Sequence, residues 1–142
     1  MFNNILIVCV GNICRSPTAE ALFKKRFPNR QIHSCGLNAR IGYPANKYSM
    51  MIAKRYHINL ESHQAQHISE QLCSKADIIL VMEKQHRDLI SNLNICFKGK
   101  TFLIGHWLND KEIPDPHKQC IEAFEYVFHL IEEAVASWSD KI

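Results

Sequence analysis

The chain has 142 residues, of which 46% are hydrophobic and 22% are charged, and its formal net charge is +3. These values are ordinary for one globular domain and argue against disorder, a collagen-like repeat and a coiled coil. The longest unbroken apolar run, Ile5–Val10, is too short for a membrane span, which needs about 20 residues, and no basic residue precedes it as in a signal peptide. We therefore expect a cytoplasmic protein without membrane insertion, in which the six cysteines are thiols.

Charge is unevenly distributed along the chain. Residues 16–60 contain eight Lys and Arg against one acid, whereas residues 107–142 contain eight acids against three Lys. A basic half can steer anionic ligands towards a protein, although a solvated surface whose halves differ by chance is the simpler alternative. No basic stripe is interleaved with stacking aromatic residues, so we do not expect nucleic-acid binding.

The predicted elements alternate between strands and helices. The runs Ile5–Val10 and Ile78–Met82 are typical of strands buried on both faces of a parallel sheet. Ser16 suits a helix N-cap and Pro17 the first helical position. The alternation predicts a single α/β domain over residues 1–142. In chain order we predict a strand at Ile5–Val10, a helix from Ser16 that ends at Pro28, a strand at Gln31–Cys35, helices at Asn46–Tyr56 and Ser69–Lys75, a strand at Ile78–Met82, a helix at Lys84–Asn92, a strand at Thr101–Ile104 and a helix from Ile121 to Trp138.

Four loops are expected to share one edge of this sheet. They lie at residues 10–16, at 36–46, just after Met82 and at 106–118. Ligands of open parallel sheets bind outside the carboxyl ends of the strands, so these loops should carry the chemistry.

The loop at residues 9–16, with the sequence CVGNICRS, joins the first strand to the first helix. Successive N–H groups of such a loop form an anion-binding concavity, which the helix dipole reinforces. Gly11 can take the positive φ that this curl often needs, and the Arg15 guanidinium can bind two oxygens of a tetrahedral oxyanion. Cys9 lies beneath this positive field, which favours a thiolate aimed at phosphorus. Ser16 can donate to that thiolate and make it a better leaving group.

A buried strand cysteine is the alternative for Cys9, and it is the commoner case for a cysteine considered alone. A cysteine and an arginine separated by five residues also occur together by chance. The preceding strand, the Gly11-Asn12 pair and the Ser16-Pro17 helix start make this instance far more specific.

The segment VCVGNICRSP at Val8–Pro17 resembles the signature of the low-molecular-weight protein tyrosine phosphatases. The contexts IPDP and GHW are most similar to bacterial members that are paired with tyrosine autokinases of capsule or exopolysaccharide export. The resemblance implies a four-stranded parallel sheet of order 2-1-3-4, with helices on both faces and a phosphate-binding loop after strand 1. It covers the whole domain through Ser34, Ser62-His63 with Ile68, DIILVME at Asp77–Glu83, Gly105–Trp107, and Ile113–Pro116.

The resemblance also implies the chemistry, which is hydrolysis of protein phosphotyrosine through a cysteinyl-phosphate. Cys9 is the implied nucleophile, Arg15 the phosphate clamp and Asp115 the general acid. No metal or other cofactor is required, because Arg15 and the loop amides supply the positive charge. A tyrosine autokinase is the implied substrate, and a monomer is the default state. The phosphate-binding loop comprises Val10, Gly11, Asn12, Ile13, Cys14, Arg15 and Ser16, and the supporting residues are Asn12, Ser16, Ser34 and His63.

The position of Asp115 supports its role independently of the resemblance. It follows the fourth predicted strand, on the same edge as Cys9, and Cys9 cannot itself protonate a leaving group. A positioned carboxylic acid contributes about 10²–10⁴-fold to such a reaction. The alternative is that Asp115-Pro116 only initiates a turn.

Several positions depart from the family pattern or refine it. His117 stands where a tyrosine usually follows Asp-Pro, and Arg40 stands where relatives carry an aromatic or apolar wall, so both are expected at the rim of the substrate pocket. Ile13 is usual in tyrosine-directed members, whereas phosphoarginine-directed relatives carry threonine. Cys14 resembles a second thiol that traps an oxidised nucleophile as a disulfide, and an apolar side chain packed under the loop is the alternative.

Two other functions remain as rivals. A thioredoxin-coupled arsenate reductase uses a similar loop but needs a closely spaced downstream cysteine pair, and here Cys73 and Cys96 are 23 residues apart. A phosphopeptide-binding module would lack Cys9, Arg15 or Asp115, and all three are present. Cys35, Cys73, Cys96 and Cys120 have no paired metal-ligand spacing.

Overall fold

Two continuous apolar segments form the centre of the sheet. The structure is a computed structural model and describes residues 2–142. Strand β1 (Asn4–Cys9) pairs in parallel with β2 (Gln31–Gly36) on one side and with β3 (Ile78–Val81) on the other, and β4 (Thr101–Leu103) pairs with β3. The strand order β2-β1-β3-β4 confirms the predicted single-domain α/β fold.

Helices connect these strands on both sides of the sheet. Asn46 and Ser69 cap two of the helices, because their side chains accept hydrogen bonds from the N–H groups of Tyr48 and Leu72. No helix in residues 2–142 is both long and apolar enough to cross a membrane. The helices are α1 (Arg15–Arg26), α2 (Lys47–Arg55), α3 (Glu70–Lys75), α4 (Lys84–Leu93) and α5 (Ile121–Ala136), with a 3₁₀ helix at Ile95–Lys100.

Side chains of β1 alternate between two apolar cores, because successive residues of a strand point to opposite faces. On one face Ile5 and Ile7 pack with residues of α1 and α5. On the other face Leu6 and Val8 pack with residues of α3, α4 and the 3₁₀ helix. Helices therefore cover both faces, as expected, and the sequence of β1 is apolar without interruption because neither face meets water.

The predicted start of the first helix is wrong, and one short helix was not predicted. Helix α1 begins at Arg15, and Ser16 is not its N-cap; the N-cap residue is Cys14, which makes no side-chain cap hydrogen bond. The Ser16 hydroxyl lies 2.9 Å from the sulfur of Cys9 and is used there. The 3₁₀ helix is absent from the sequence-based expectations, because ICFKGK has no helical periodicity of apolar residues.

The loops at the carboxyl edge of the sheet are joined to one another by backbone hydrogen bonds. The N–H groups of Leu37, Asn38 and Arg40 donate to the carbonyls of Cys9, Val10 and Gly11 at 2.9, 2.9 and 3.0 Å. The N–H of Ile113 donates to the carbonyl of Met82 at 3.0 Å. These bonds join the loop at residues 10–16 to the loop at 36–46, and the segment just after Met82 to the loop at 106–118.

Candidate active site

The loop after β1 curls at Asn12 rather than at Gly11. Asn12 has a φ of 59°, whereas Gly42 is the one glycine with positive φ among the described residues. A Cβ added to Gly11 would meet only the Ile13 side chain, at an ordinary contact distance of 3.5 Å. The expectation that Gly11 supplies the positive φ is therefore wrong. Asparagine tolerates the left-handed region because its short side chain can hydrogen-bond locally.

The Asn12 side chain holds the loop from below. Its amide nitrogen donates to the hydroxyls of Ser16 and Ser34 at 2.7 and 3.0 Å, and its amide oxygen accepts from the N–H of Gln66 at 2.9 Å. The His63 Nε2 lies 2.6 Å from the Asn12 carbonyl, which can only accept, so this nitrogen carries the proton. The side-chain amide nitrogen and oxygen of Asn12 are thus both hydrogen-bonded, and the residue is fully buried.

Ser34 extends this network to helix α1. Its hydroxyl donates to the carboxylate of Glu20, one turn into that helix beyond Ser16. The Gln66 amide nitrogen donates to the Ser34 carbonyl at 2.9 Å. Ser34 and His63, which the family resemblance implies as supporting residues, both contact Asn12 beneath the loop. Glu20 and Gln66 were not among the predicted site residues.

Cys9 ends β1 with its side chain almost fully buried, at 3% exposure. Its sulfur lies 2.9 Å from the Ser16 hydroxyl. That hydroxyl already accepts from Asn12, so its own proton is free to point at the sulfur. The arrangement can therefore stabilise a Cys9 thiolate with one hydroxyl donor.

Arg15 is held by two acceptors through one nitrogen. Its Nη1 donates to Glu83 Oε2 at 2.6 Å and to the Ile113 carbonyl at 2.8 Å. The side chain is 2% exposed, and Nη2 lies 3.7 Å from Asp115 Oδ2. Because Nη1 is occupied, the remaining N–H groups of the guanidinium are the ones available to an anion. Glu83 was missed as a site residue, although it follows β3 at the expected edge.

His86 lies behind Glu83 and is 1% exposed. The N–H of Glu83 donates to His86 Nδ1 at 3.2 Å, which leaves the proton of the neutral ring on Nε2. Burial, followed by the charge of Arg15, lowers the pKa of His86 below its usual value. His86 is therefore neutral at pH 7; it lies in the first turn of α4, where it forms a capping box with Glu83.

Asp115 both makes a turn and faces the pocket. Its Oδ1 accepts from the N–H of His117 at 3.0 Å, and its Oδ2 is the oxygen nearest Arg15. The carboxylate is 46% exposed, so it can exchange protons with water. The turn contact and the contact with Arg15 therefore use different oxygens of one carboxylate.

Cys9, Arg15 and Asp115 line one pocket of about 180 Å³. Asn12 and Ser16 belong to the loop but lie beneath it, where they are fully buried. Asn38 lines the pocket and was not predicted. Among residues 2–142, no group of three or more His, Cys, Asp or Glu side chains could hold a metal ion. The lining residues are Cys9, Val10, Gly11, Ile13, Cys14, Arg15, Asn38, Arg40, Asp115 and His117.

Cys14 borders the same pocket but is 7% exposed and packs in an apolar cluster with Ile52, Phe124 and Phe128. Burial raises the pKa of the Cys14 thiol to about 12, against a hydrogen bond with Ser49 that lowers it. At neutral pH this cysteine is a thiol. Cys14 therefore packs as an apolar side chain and also borders the pocket of Cys9. The packing role and the role as a second thiol both remain as interpretations.

The family model of the low molecular weight phosphotyrosine protein phosphatases matches residues 4–142. The chain belongs to this family. It is 46% identical over 138 residues to the probable low molecular weight protein-tyrosine-phosphatase AmsI of Erwinia amylovora, covering 97% of this chain and 96% of AmsI. It is 43% identical over 142 residues to the phosphatase Wzb of Escherichia coli K12, covering 100% and 97% of the two chains.

A solved structure agrees with this family membership. Vibrio vulnificus Wzb in complex with benzylphosphonate superposes with a TM-score of 0.96 at 43% identity, covering 100% of both chains. Fold and length match those of a low molecular weight phosphatase, and the enzyme class is protein tyrosine phosphatase.

Proposed function

We propose that this phosphatase hydrolyses phosphotyrosine in proteins through a cysteinyl-phosphate on Cys9. The observation that carries the proposal is the meeting of Cys9, Arg15 and Asp115 in one small pocket. A thiolate acceptor, a fixed guanidinium and a solvent-accessible carboxyl are the groups that transfer of a phosphoryl group to sulfur needs.

In the first step, the Cys9 sulfur attacks phosphorus and the bond to the tyrosine oxygen breaks. The protonated carboxyl of Asp115 gives its proton to the departing phenolate. The loop amides and the free N–H groups of Arg15 bind the equatorial oxygens. Since Nη1 of Arg15 is already held by Glu83 and Ile113, the guanidinium is oriented before the substrate arrives.

In the second step, the Asp115 carboxylate takes a proton from water, whose oxygen attacks phosphorus. The bond between sulfur and phosphorus breaks, phosphate leaves and Cys9 returns as a thiolate. The Ser16 hydroxyl, 2.9 Å from the sulfur, stabilises that leaving group. The same pocket thus serves both steps, with Asp115 as acid and then as base.

The substrate we propose is a tyrosine autokinase of capsule or exopolysaccharide export in the cytoplasm. The similarity to AmsI and Wzb over nearly the whole chain supports this choice. The isoleucine at Ile13, at the pocket wall, supports phosphotyrosine over phosphoarginine.

Hydrolysis of an aryl phosphate by three variants tests the mechanism. Cys9→Ser should be inactive and still bind inorganic phosphate, because the loop amides and Arg15 remain. Asp115→Ala should lose about 10²–10⁴-fold in turnover and accumulate phospho-cysteine. Cys120→Ser, at an exposed thiol outside the pocket, is the matched control and should keep wild-type turnover. Full activity in Cys9→Ser would overturn the proposal.

The substrate class is tested with matched phosphopeptides. Wild-type enzyme should hydrolyse phosphotyrosine peptide much faster than the phosphoserine or phosphoarginine peptide of the same sequence. Equal rates on all three would contradict the assignment from Ile13. Reduction of arsenate with thioredoxin would instead favour the arsenate reductase alternative.

A further inference from the structure

Arg40 stands at the mouth of the pocket on backbone that is tied to the phosphate-binding loop. Its N–H donates to the Gly11 carbonyl at 3.0 Å, and its own carbonyl accepts from the N–H of Tyr43 at 2.9 Å. The preceding residue, Ala39, donates to His67 Nδ1 at 3.4 Å. The backbone of Arg40 is therefore fixed relative to the site that would hold a phosphoryl group.

The charge of Arg40 is not neutralised by a neighbouring acid. No carboxylate in residues 2–142 lies within 4.0 Å of its guanidinium, which instead lies 5.8 Å from the centre of the Tyr43 ring. Asp115 is the one acid that lines the described pocket, and it faces Arg15. The pocket mouth thus presents an exposed cation with free donors to whatever surrounds the phosphorylated residue.

Arg15 and Arg40 line the same pocket but differ in burial, so they can contact different parts of a substrate. Arg15 is buried in the pocket wall, and Glu83 and Ile113 hold it in place for the phosphoryl group. Arg40 is exposed and lines the same pocket, where the peptide on either side of the phosphotyrosine must pass. Neighbouring Cα atoms of a peptide are 3.8 Å apart, so a residue adjacent to the phosphotyrosine lies within reach of an arginine at the rim.

We propose that Arg40 forms an anionic subsite that binds a carboxylate or a second phosphate on a substrate residue next to the phosphotyrosine. The proposal rests on the proposed function and names a substrate class within it, phosphotyrosine in acidic or multiply phosphorylated surroundings. The guanidinium fork suits both anions, since it can donate two parallel hydrogen bonds to either. Arginine at this rim selects by charge, where an apolar wall would select by contact with the ring.

Four phosphotyrosine peptides that differ at one flanking position test the subsite. The flanking residue is Asp, a second phosphotyrosine, Asn or Lys, and the readout is kcat/KM relative to the Asn peptide. Wild-type enzyme should prefer an anionic peptide by about 3- to 10-fold, a preference that shrinks as salt is added. Gains with both anionic peptides assign the subsite to carboxylates and phosphates, a gain with Asp alone assigns it to carboxylates, and a gain with the second phosphotyrosine alone assigns it to phosphates.

Variants of Arg40 identify the group responsible. Arg40→Gln should bring the ratio to about one, and Arg40→Glu should reverse it in favour of the Lys peptide. Arg26→Gln makes the same charge change at the C-terminal end of α1, outside the pocket lining. This control should keep the wild-type ratios. A wild-type ratio near one, or a ratio that Arg40→Gln leaves unchanged, overturns the subsite.

Binding separates this inference from the catalytic mechanism. Dissociation constants of the four peptides for Cys9→Ser should follow the same order, because the subsite needs no turnover. Loss of that order overturns the subsite even where wild-type hydrolysis is normal. Wild-type activity in Cys9→Ser overturns the mechanism, and the peptide order in that variant still decides the subsite.

Discussion

The two sides of the phosphate-binding loop are built on opposite principles. The loop underside, formed by Asn12, Ser16, Ser34, His63 and Gln66, is a closed hydrogen-bond network around a fully buried amide. The pocket mouth, formed by Asn38, Arg40, Asp115 and His117, is exposed or half-exposed, and its side chains make few contacts. Each underside residue depends on its neighbours, whereas mouth residues can vary one at a time.

The physical reason is the cost of leaving a buried polar group unpaired, about 1–3 kcal/mol for each group. A single substitution in the loop underside leaves at least one partner without a hydrogen bond, and the loop amides move with it. After a substitution in the pocket mouth, water can hydrogen-bond to any polar group that loses its partner, so the cost in stability is small.

The largest effect should follow from Asn12→Ala. It removes three side-chain hydrogen bonds and places alanine at a φ of 59°. We expect a loss of about 3 kcal/mol in the free energy of unfolding, measured in urea, and about a 100-fold loss of turnover. Asn12→Gly removes the same bonds without the backbone strain, so it should be the more stable of the two. Equal stability of both variants would show that the left-handed backbone contributes nothing.

Glu83→Gln should reduce kcat about tenfold, because a neutral amide holds the Arg15 guanidinium less firmly than a carboxylate does. Inhibition by inorganic phosphate should not weaken, since a negative charge is removed from beside the anion site. Glu112→Gln is the control, because its carboxylate accepts from the nearby Lys84 N–H but does not contact Arg15. An unchanged kcat in Glu83→Gln would show that Ile113 alone fixes Arg15.

His86 should make the stability of the enzyme depend on pH. Its pKa in the folded protein lies below the usual 6.5, so the unfolded chain binds more protons in mild acid. Its contribution is complete above about pH 6.5 and is lost as the pH falls towards the folded-state value. Urea unfolding at pH 7.5 and 5.0 should therefore show a larger loss for wild type than for His86→Gln. An equal loss in both proteins would assign the acid sensitivity to other groups.

His117→Tyr should have the smallest effect, since it replaces one half-exposed ring by another at the pocket mouth. The tyrosine ring packs better on a substrate ring, so KM for an aryl phosphate should fall about threefold. KM for an alkyl phosphate should stay the same, because no ring is present to stack. A similar change with both substrates would mean that residue 117 acts on the phosphoryl group instead.

Sequence reasoning predicted the framework well because local patterns carry it. The uninterrupted apolar runs identified β1 and β3, and the loop motif located the start of α1 to within two residues. The 3₁₀ helix was not predicted, because the hydrogen bonds that stabilise it leave no periodic pattern of apolar residues in the sequence. These bonds run from the Cys96 N–H to the Asn94 side chain and from the Thr101 hydroxyl to the Phe97 carbonyl. Asn94 as a cap was the available signal.

Residues that act through distant contacts were the ones missed. Glu83 is 68 positions from Arg15 and Gln66 is 54 positions from Asn12, so only the folded chain shows that they meet. The assignment of Ser16 as a cap and of Gly11 as the left-handed residue failed for a related reason. Local preference allows Ser16 to cap a helix and Gly11 to adopt positive φ. In the folded chain the Ser16 hydroxyl contacts the Cys9 sulfur instead, and Asn12 adopts the positive φ.

The central place of β1 has a consequence for how the enzyme loses activity. Cys9 ends β1, which is one of the two central strands of the sheet and is paired with β2 along one edge and with β3 along the other. Fraying begins at sheet edges and loops, and central strands open only with global unfolding. The amide protons of β1 should therefore exchange at the slowest rates in the molecule. An oxidant must reach the sulfur through the pocket mouth, since the native sheet gives it no other path.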